Sequence, residues 1–407
     1  MKRSSFWLAV VGLVLIAPKA NADVLSEWTD TGVQLAVGAK QAPAGQARTM
    51  TMVHVAMFDA VNGIERRYAS YTALVPGASD RTAAPDAAAA AAAHDVLRAL
   101  FPDQATSIDA ALAKSLDRVA DANARASGAE LGRRAAAAVL VLRESDGASA
   151  PNTYRPVTSA GVYVPTALPI AFTWGKVKPW VMKSGAQFRP GPPPALGSAD
   201  WARAYNEVKD LGGKGSTTRS AIQTETAKFW EMTGAGAYKE LIASATRAPG
   251  RSLVQNARLL ALTSMAQAEA YVAIFDAKYT YNLWRPVTAI RNGDIDGNDA
   301  TALDSGWLPL IDTPMHPEYP CAHCINAGAV AAVLVREFGG KVPPLTSTST
   351  TAPGVTHSWS RVEDLIDEVS NARVWAGVHY RTSAVVGTAM GKKIGELVAD
   401  TAFRPNK

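Results

Sequence analysis

The stretch that most constrains this chain runs from Pro314 to Gly328. It contains two histidines, three prolines, a glutamate and the only two cysteines of the 407-residue sequence. An apolar run over 327–334 follows it and predicts a helix. The tetrapeptide Pro320–His323 would therefore stand at the N-terminus of that helix. Unpaired backbone N–H groups and the positive end of the helix dipole favour an anion at such a position.

The remainder of the chain is dominated by helical periodicity. No segment shows a sustained alternation of apolar and polar residues, which is the pattern of a half-buried strand. The fold class is therefore predicted to be all-α, built from helical bundles. Helices are predicted at 23–39, 48–68, 83–100, 107–122, 127–144, 200–211, 217–232, 252–290 with a bend near Pro286, 324–338, and 362–402 with a break at Gly377.

The composition is that of a soluble globular protein. Hydrophobic residues make up 48% of the chain and charged residues 19%, which allows a sizeable core. The formal charge of +5 falls to +2 when Lys2, Arg3 and Lys19 are removed with an N-terminal leader. No basic stripe interleaved with aromatic residues is present, so no nucleic-acid partner is predicted.

The N-terminus has the pattern of a secretory signal peptide. A charged start is followed by an apolar run over 6–17 and a small-residue cleavage site at 20–22. The run is short for a membrane span. We therefore predict a signal peptide at 1–22, export to the periplasm or the extracellular space, and no membrane anchor after cleavage. The other predicted boundaries are an N-terminal helical bundle at 23–148, a connecting segment at 149–198 and a catalytic helical domain at 199–407.

Export gives the two cysteines, Cys321 and Cys324, a specific meaning. In an oxidising compartment they would form a local disulfide or remain two free thiols. A thioredoxin-like redox pair is disfavoured because no βαβ pattern surrounds them. A zinc site is disfavoured because Cys321, His323 and Cys324 crowd the ligands too closely for one tetrahedral ion.

The connecting segment is rich in proline, glycine, serine and threonine but also carries aromatic residues. These are Phe172, Trp174, Trp180 and Phe188. A loop of this length in a compact chain is usually functional or a linker, and aromatic side chains need a surface to pack on. The segment is therefore interpreted either as a lid or wall over a site, or as a packed crossing between two bundles.

Four side chains elsewhere complete a candidate site. Lys278 and Arg285 are seven residues apart, so on one helix they would lie two turns apart on nearly the same face. They stand among aromatic and aliphatic residues, and buried cations need anionic partners. Arg373 and His379 do not share a face of a continuous helix. A break at Gly377 would leave His379 in the following helix and Arg373 on its approach.

Brought together, these segments would form a pocket for a tetrahedral oxyanion. Lys278, Arg285 and Arg373 supply positive charge, and arginine adds forked donors that match such an anion. His323 and His379 allow one nucleophile or metal-oxo ligand and one acid–base group. The pattern favours phosphate, or vanadate as its structural analogue.

The order and spacing of these segments resemble a known signature. Its parts here are Lys278-x6-Arg285-Pro286, Pro320-Cys321-Ala322-His323 and Arg373-x5-His379. They are similar to the three-part signature of the type 2 phosphatidic acid phosphatase (PAP2) superfamily, which joins acid phosphatases to vanadium-dependent haloperoxidases. The chain length and the wider motifs around Trp230, Trp284 and His316 look most like the bacterial vanadium haloperoxidase branch.

The resemblance implies an all-α fold of the vanadium chloroperoxidase type and a role for each residue. His379 would bond vanadium, or attack phosphorus in a phosphatase, and His323 would be the acid–base histidine. The oxyanion would be held by Lys278, Arg285, Cys321, Ala322 and Arg373. The implied cofactor is vanadate, and the implied substrates are hydrogen peroxide and a halide.

Some positions depart from the family pattern. Cys321 replaces the usual serine and Ala322 the usual glycine, and a thiol is a weaker hydrogen-bond donor than a hydroxyl. Ser383 stands where the third part usually carries an aspartate that orients its histidine. The absence of that aspartate predicts a less basic His379 and weakens the phosphatase interpretation.

Three functions follow from this pattern. The first is an exported vanadate-dependent haloperoxidase, favoured by the chain length, the N-terminal bundle and the missing aspartate. The second is a PAP2-type acid phosphatase that hydrolyses a phosphomonoester through a phosphohistidine, with no metal. The third is a non-catalytic, oxyanion-binding helical protein. His316 is interpreted as a loop histidine packed against proline, with a halide-site role as the alternative. Glu318 would either orient a cation or cap the turn.

Overall fold

The computed structural model describes residues 23–72, 81–165 and 167–406. Within these ranges the chain forms thirteen α-helices and one two-stranded sheet, which confirms the predicted all-α class. The helices are α1 (Val24–Gly38), α2 (Pro43–Glu65), α3 (Pro85–Leu100), α4 (Ala105–Asp117), α5 (Ala122–Arg143), α6 (Ala199–Gly212), α7 (Ala221–Phe229), α8 (Gly236–Thr246), α9 (Leu253–Tyr281), α10 (Pro286–Arg291), α11 (Ala322–Glu337), α12 (Val362–Trp375) and α13 (Arg381–Thr401). The predicted signal peptide lies outside the described residues.

A small antiparallel hairpin interrupts the helical structure. Strand β1 (Leu345–Thr348) pairs with β2 (Thr356–Trp359), and Leu345 lies opposite Trp359. The sequence analysis predicts no strand between the helices at 324–338 and 362–402, so this hairpin is missed. Four residues per strand are too few to produce a sustained alternation in the sequence.

The long helix α9 determines where the candidate site lies. It is buried along most of its 29 residues and ends at Tyr281, because Asn282 adopts a left-handed conformation with φ of 49°. A separate helix, α10, begins at Pro286, where a missing N–H is tolerated. The predicted break near Pro286 is present but begins earlier: the chain leaves the helix at Asn282, and residues 282–285 form a link.

Two glycines allow α11 and α13 to pack in close contact. A Cβ atom at Gly391 would lie 2.0 Å from the carbonyl oxygen of Ile325, and one at Gly387 would lie 2.6 Å from that of Cys321. A larger residue at either position would force the helices apart, since interiors are close-packed. The first turn of α11 is thus held against the first turns of α13, the helix that follows His379.

A single hydrophobic cluster extends across both bundles. It includes Val24 in α1, Phe58 in α2, Ile274 in α9 and Ile394 in α13. The N-terminal helices therefore stabilise α9, the helix that carries Lys278. None of the helices in the described ranges has the length and apolar character needed to span a bilayer.

The described part of residues 149–198 contains 3-10 turns but no α-helix, and it is tied down at several points. The N–H of Tyr163 donates to the carbonyl of Asn282 (2.8 Å), and the N–H of Ile170 donates to that of Met315 (2.9 Å). The segment therefore packs against the link after α9 and the loop before α11. Ile170 in this segment also lines the site cavity.

Candidate oxyanion site

Lys278, in the last turn of α9, anchors the loop that leads into α11. Its buried ammonium group donates to the carbonyl oxygens of Pro317 (2.9 Å), Glu318 (2.7 Å) and Pro320. Burial lowers the pKa of Lys278 well below its ordinary value, and the neighbouring Arg285 lowers it further. Lys278 therefore fixes the loop and adds positive charge beneath it.

Arg285 is the N-cap residue of α10, so the prediction that it shares a helix face with Lys278 is wrong. Its guanidinium donates to the carbonyl oxygens of His316 (2.9 Å) and Val378 (2.8 Å), and to Nδ1 of His316 (2.9 Å). One terminal nitrogen lies 3.4 Å from Nε2 of His379. Burial lowers the pKa of Arg285 to about 10. Arg285 thus joins the loop before α11 to the link between α12 and α13.

Glu318 is the carboxylate partner of His379. Its Oε1 accepts from Nδ1 of His379 (2.7 Å) and from the N–H of Tyr380 (3.0 Å), and its Oε2 accepts from the hydroxyl of Ser383 (2.6 Å). Burial raises the pKa of Glu318, while Lys278 and these donors oppose that shift. Burial, reinforced by nearby cations, lowers the pKa of His379 well below its ordinary value. Neutral His379 therefore carries its proton on Nδ1 and a lone pair on Nε2.

Two predictions about His379 are thereby corrected. His379 does have an orienting carboxylate, because Ser383, at the expected aspartate position, donates to Glu318 instead. His379 also lies in the link between α12 and α13 rather than inside the helix that follows Gly377. Glu318 and His379 are 61 positions apart, so their pairing had no spacing signal in the sequence.

Backbone carbonyls in the segment after α7 bind Arg373 and His323, the remaining signature side chains. The carbonyl of Trp230 accepts from Arg373 (2.6 Å), and the carbonyl of Met232 accepts from Nε2 of His323 (2.8 Å). A carbonyl can only accept, so neutral His323 has its proton on Nε2 and a lone pair on Nδ1. Burial lowers the pKa of His323 well below its ordinary value, and that of Arg373 to about 9. The hydroxyl of Tyr238 donates to the carbonyl of His323 (3.1 Å).

The sequence pattern predicts only part of this segment. Trp230 belongs to the motifs that carry the resemblance, but no helix is predicted over α8 (Gly236–Thr246), which carries Tyr238. Backbone carbonyl contacts leave no side-chain pattern in a sequence. Nearby, His357 is stacked on Phe229 and bonded to Glu368 (2.7 Å).

The cysteine pair is a disulfide, which selects one of the two predicted alternatives. Cys321 and Cys324 are bonded, with their Cα atoms 5.3 Å apart, and both are buried. A bonded sulfur has no S–H, so the side chain of Cys321 has no proton to donate to an anion. Ala322, as the first residue of α11, remains part of a turn whose N–H groups lack intrahelical partners.

A cavity of about 60 Å³ lies between these segments. His316, His323 and His379 line one part of it, and Ile170, Tyr271, Phe275, Met232 and Ala322 are among the residues that line the rest. One buried water needs roughly 10–15 Å³ of such volume. The cavity therefore admits several waters or a small oxyanion, next to a largely apolar wall.

His316 takes a more specific position than a loop histidine packed on proline. Its Nδ1 lies 2.9 Å from a terminal nitrogen of Arg285 and 3.1 Å from the carbonyl oxygen of Pro317, and its ring packs edge-on against Phe275 at 5.3 Å. Burial and the neighbouring Lys278 and Arg285 lower its pKa well below the ordinary value. It is therefore a neutral imidazole at the edge of the cavity.

The site carries excess positive charge. Lys278, Arg285 and Arg373 are all buried, and in the described part of the chain their polar contacts are carbonyl oxygens and histidine nitrogens. Glu318 is the buried carboxylate beside them. The Nε of Arg373 is buried with no hydrogen-bond partner among the described residues. Uncompensated buried cations are costly, and a bound anion would lower that cost.

Other buried polar side chains, outside the site, have structural partners. His54 pairs with Thr29 (3.0 Å), and Asp59 accepts from the backbone of Tyr71 and Thr72. In the acidic turn at 293–299, Asp296 accepts from Trp201 (2.9 Å). Across residues 23–72, 81–165 and 167–406, no cluster of three or more His, Cys, Asp or Glu side chains could hold a metal ion.

Fold and site together define a class: a helical-bundle protein with a small cavity lined by two signature histidines and three buried cations in the same region. Residues 258–406 match the family described as the VCPO second helical-bundle domain. A vanadium chloroperoxidase from Curvularia inaequalis is 26% identical over 199 residues, which cover 42% of this chain. The match spans 32% of the fungal enzyme's length.

Solved structures extend the similarity to nearly the whole chain. The first bacterial vanadium-dependent iodoperoxidase structure has a TM-score of 0.81 at 24% identity and covers 94% of this chain and 98% of its own. A holo-type bacterial vanadium-dependent chloroperoxidase has a TM-score of 0.68 at 18% identity and covers 88% and 91%. The chain thus has the fold of these proteins, and the match of residues 258–406 to the VCPO second helical-bundle family agrees with the resemblance carried by the signature.

Proposed function

We propose that this protein is an exported, vanadate-dependent haloperoxidase that uses hydrogen peroxide to oxidise a halide. The observation that carries the proposal is the state of His379. Its Nδ1 is held by Glu318 at 2.7 Å, and its Nε2 lone pair stands beside Arg285 at the cavity. A neutral, oriented imidazole nitrogen in a cationic pocket is the group expected to bind the metal of an oxyanion.

The residues present fit vanadate. Arg285 and Arg373 offer planar donors, and the Nε of Arg373 has no other partner among the described residues. The N–H of Ala322 lies in the first turn of α11, where donors to an anion are available. Lys278 adds charge from below the loop. When bound, vanadate would supply a Lewis-acid centre at which peroxide becomes reactive toward halide.

Each residue then has a defined task. Glu318 keeps the proton of His379 on Nδ1 and so keeps Nε2 free for vanadium. Arg285 and Arg373 hold the oxyanion and compensate its charge. His323 has a free Nδ1 lone pair, because Nε2 is committed to Met232. It can therefore take a proton from peroxide and later return one. The apolar wall limits the water that reaches the site.

Export is part of the same proposal. The leader pattern at 1–22 supports it, and a Cys321–Cys324 disulfide is the form expected in an oxidising compartment.

A phosphatase is the second candidate, and one contact favours it. Glu318 supplies the carboxylate that the sequence seemed to lack at His379, so a phosphohistidine mechanism has its orienting group. Nε2 of His379 would attack a phosphomonoester monoanion, whose own proton would move to the leaving oxygen. The Nδ1 lone pair of His323 would then take a proton from the water that hydrolyses the phosphohistidine.

The deciding experiment compares both reactions on the same protein. We expect purified mature protein, loaded with orthovanadate, to brominate a phenolic dye with peroxide, and His379→Ala to abolish that reaction. His94→Gln, in α3 away from the site, is the control and should keep it. Hydrolysis of a phosphomonoester that vanadate inhibits, without halogenation, would favour the phosphatase. Absence of both reactions would contradict both proposals.

A further inference from the structure

The disulfide lies where two histidine-bearing segments meet. Cys321, Cys324 and Ala384 form one small buried cluster, so the two sulfurs pack against the first turn of α13. The N–H of Cys321 also donates to the carbonyl of Ser383 (3.1 Å). Two independent contacts therefore join the start of α11 to the start of α13.

The same junction leads directly to His379. The hydroxyl of Ser383 donates to Glu318 at 2.6 Å, and Glu318 accepts from His379 at 2.7 Å. Cys321 is thus connected to the proposed vanadium ligand through the backbone and side chain of Ser383. On the other side, Ala322 and His323 are the residues enclosed between the two bonded cysteines.

Inside α11 the disulfide also acts as an N-cap. The N–H of Cys324 points to the sulfur of Cys321 at 3.1 Å, in the position where a capping serine would accept with its hydroxyl. The covalent bond between residues three positions apart restricts the first turn far more than one hydrogen bond can. The restricted groups are the N–H of Ala322 and the ring of His323.

We propose that the Cys321–Cys324 disulfide is a positioning element of the oxyanion site. It makes no direct side-chain contact with the anion. It holds the Ala322 N–H and His323 in register with His379, and so replaces the serine hydroxyl of the family pattern by a covalent constraint. This inference rests on the proposed oxyanion site and concerns how the chain builds it.

The proposal predicts an order of vanadate affinity among the wild-type protein and two double variants. Cys321→Ala/Cys324→Ala loses both the cross-link and the cap. Cys321→Ser/Cys324→Ala loses the same cross-link but keeps a capping hydroxyl that can also donate to the anion. The two variants share the loss of covalent stability, so a difference between them reports on the site and not on the cross-link alone.

We expect the Kd for orthovanadate, measured by equilibrium dialysis, to rise roughly 10–100-fold in the double-alanine variant, as for lost partners of metal ligands. The serine variant should recover most of that loss. The pH dependence of binding should shift in the double-alanine variant and return in the serine variant, because His379 loses and regains its setting. A loss of fold would appear in circular dichroism of both variants alike.

Three outcomes would overturn the proposal. One is equal vanadate affinity in all three proteins. Another is equal loss in both variants with no recovery by serine. The third is the detection of two free thiols when the wild-type protein is unfolded without a reductant. If the wild-type protein binds neither vanadate nor phosphate, the proposed function fails instead, so the two failures are distinguishable.

Discussion

Two buried polar regions of this molecule differ in how far carboxylates compensate their positive charges. At the junction of α2, α5 and the connecting segment, Arg48 and Arg143 both contact Asp146, at 2.7 and 2.9 Å. Among the described residues of the site, Glu318 is the buried carboxylate near Lys278 and Arg285, and the half-buried Glu231 lies near Arg373. In the first region two carboxylates, Asp146 and the buried Glu269, compensate the two arginines. The second leaves positive charge unbalanced, and an anion is what would balance it.

Two buried glutamates, Glu269 and Glu318, also differ between structure and site. Glu269, in α9, directs one oxygen at the backbone N–H groups of Trp180, Val181 and Met182, so it fixes the connecting segment. Glu318 directs its oxygens at a histidine, a serine and one N–H. Burial raises the pKa of both carboxyls. A buried carboxylate therefore indicates function only through its partners: backbone amides point to structure, and an oriented imidazole points to chemistry.

The largest expected effect on vanadate binding is that of Glu318→Gln. The amide cannot accept from His379, Tyr380 and Ser383 with both of its terminal atoms, so the His379 tautomer is no longer fixed. We expect vanadate affinity and the vanadate-dependent halogenation rate each to fall roughly 10–100-fold, as measured by equilibrium dialysis and by dye bromination.

Glu269→Gln is the matched control for that variant. It should leave the Kd for vanadate unchanged while lowering the free energy of unfolding by about 1–3 kcal/mol, because three N–H groups lose an anionic acceptor. If the two variants had the same effect on vanadate binding, the distinction between the two glutamates would be wrong.

The sequence predicted the parts of this contrast that depend on local pattern. Helical periodicity identified the main helices, and the signature identified the cations and both histidines. It did not identify Glu318 as the partner of His379, because that contact joins segments far apart in sequence and replaces an expected aspartate. It also missed α8 and the β-hairpin, which are short, and it misplaced Arg285 on α9, because Asn282 ends that helix before the proline does.

The next prediction concerns the free energy of unfolding when either of two buried arginines, Arg143 or Arg373, is replaced by methionine. Arg143→Met removes a cation paired with Asp146 and should cost roughly 3–5 kcal/mol of unfolding free energy, since Asp146 is left with less compensation. Arg373→Met removes a cation with no carboxylate contact. The gain from removing that charge offsets the loss of the bond to Trp230, so stability should change by about 1 kcal/mol or less.

The effects on vanadate affinity should rank the other way, with the larger loss in Arg373→Met. Arg373→Met should weaken vanadate binding at least tenfold, and Arg143→Met should leave it unchanged in the folded fraction. Urea denaturation without vanadate measures the first quantity and equilibrium dialysis the second. A large stability loss in Arg373→Met would mean that the charge at the site is balanced after all.

The smallest effect is a pH dependence at Asp59, a buried carboxyl of α2 outside the site. Burial raises the pKa of Asp59 from its usual 3.8 to about 6, against the opposing bonds from Thr72 and Tyr71. A carboxyl whose pKa is raised by folding stabilises the protein below its unfolded pKa, and that contribution is lost as pH rises through the folded pKa.

The stability of the wild type relative to Asp59→Asn should therefore fall by up to about 3 kcal/mol between pH 4 and 7. Urea denaturation across that range measures the difference. A flat difference would contradict this prediction, because it would show that the hydrogen bonds to Asp59 fully offset its burial.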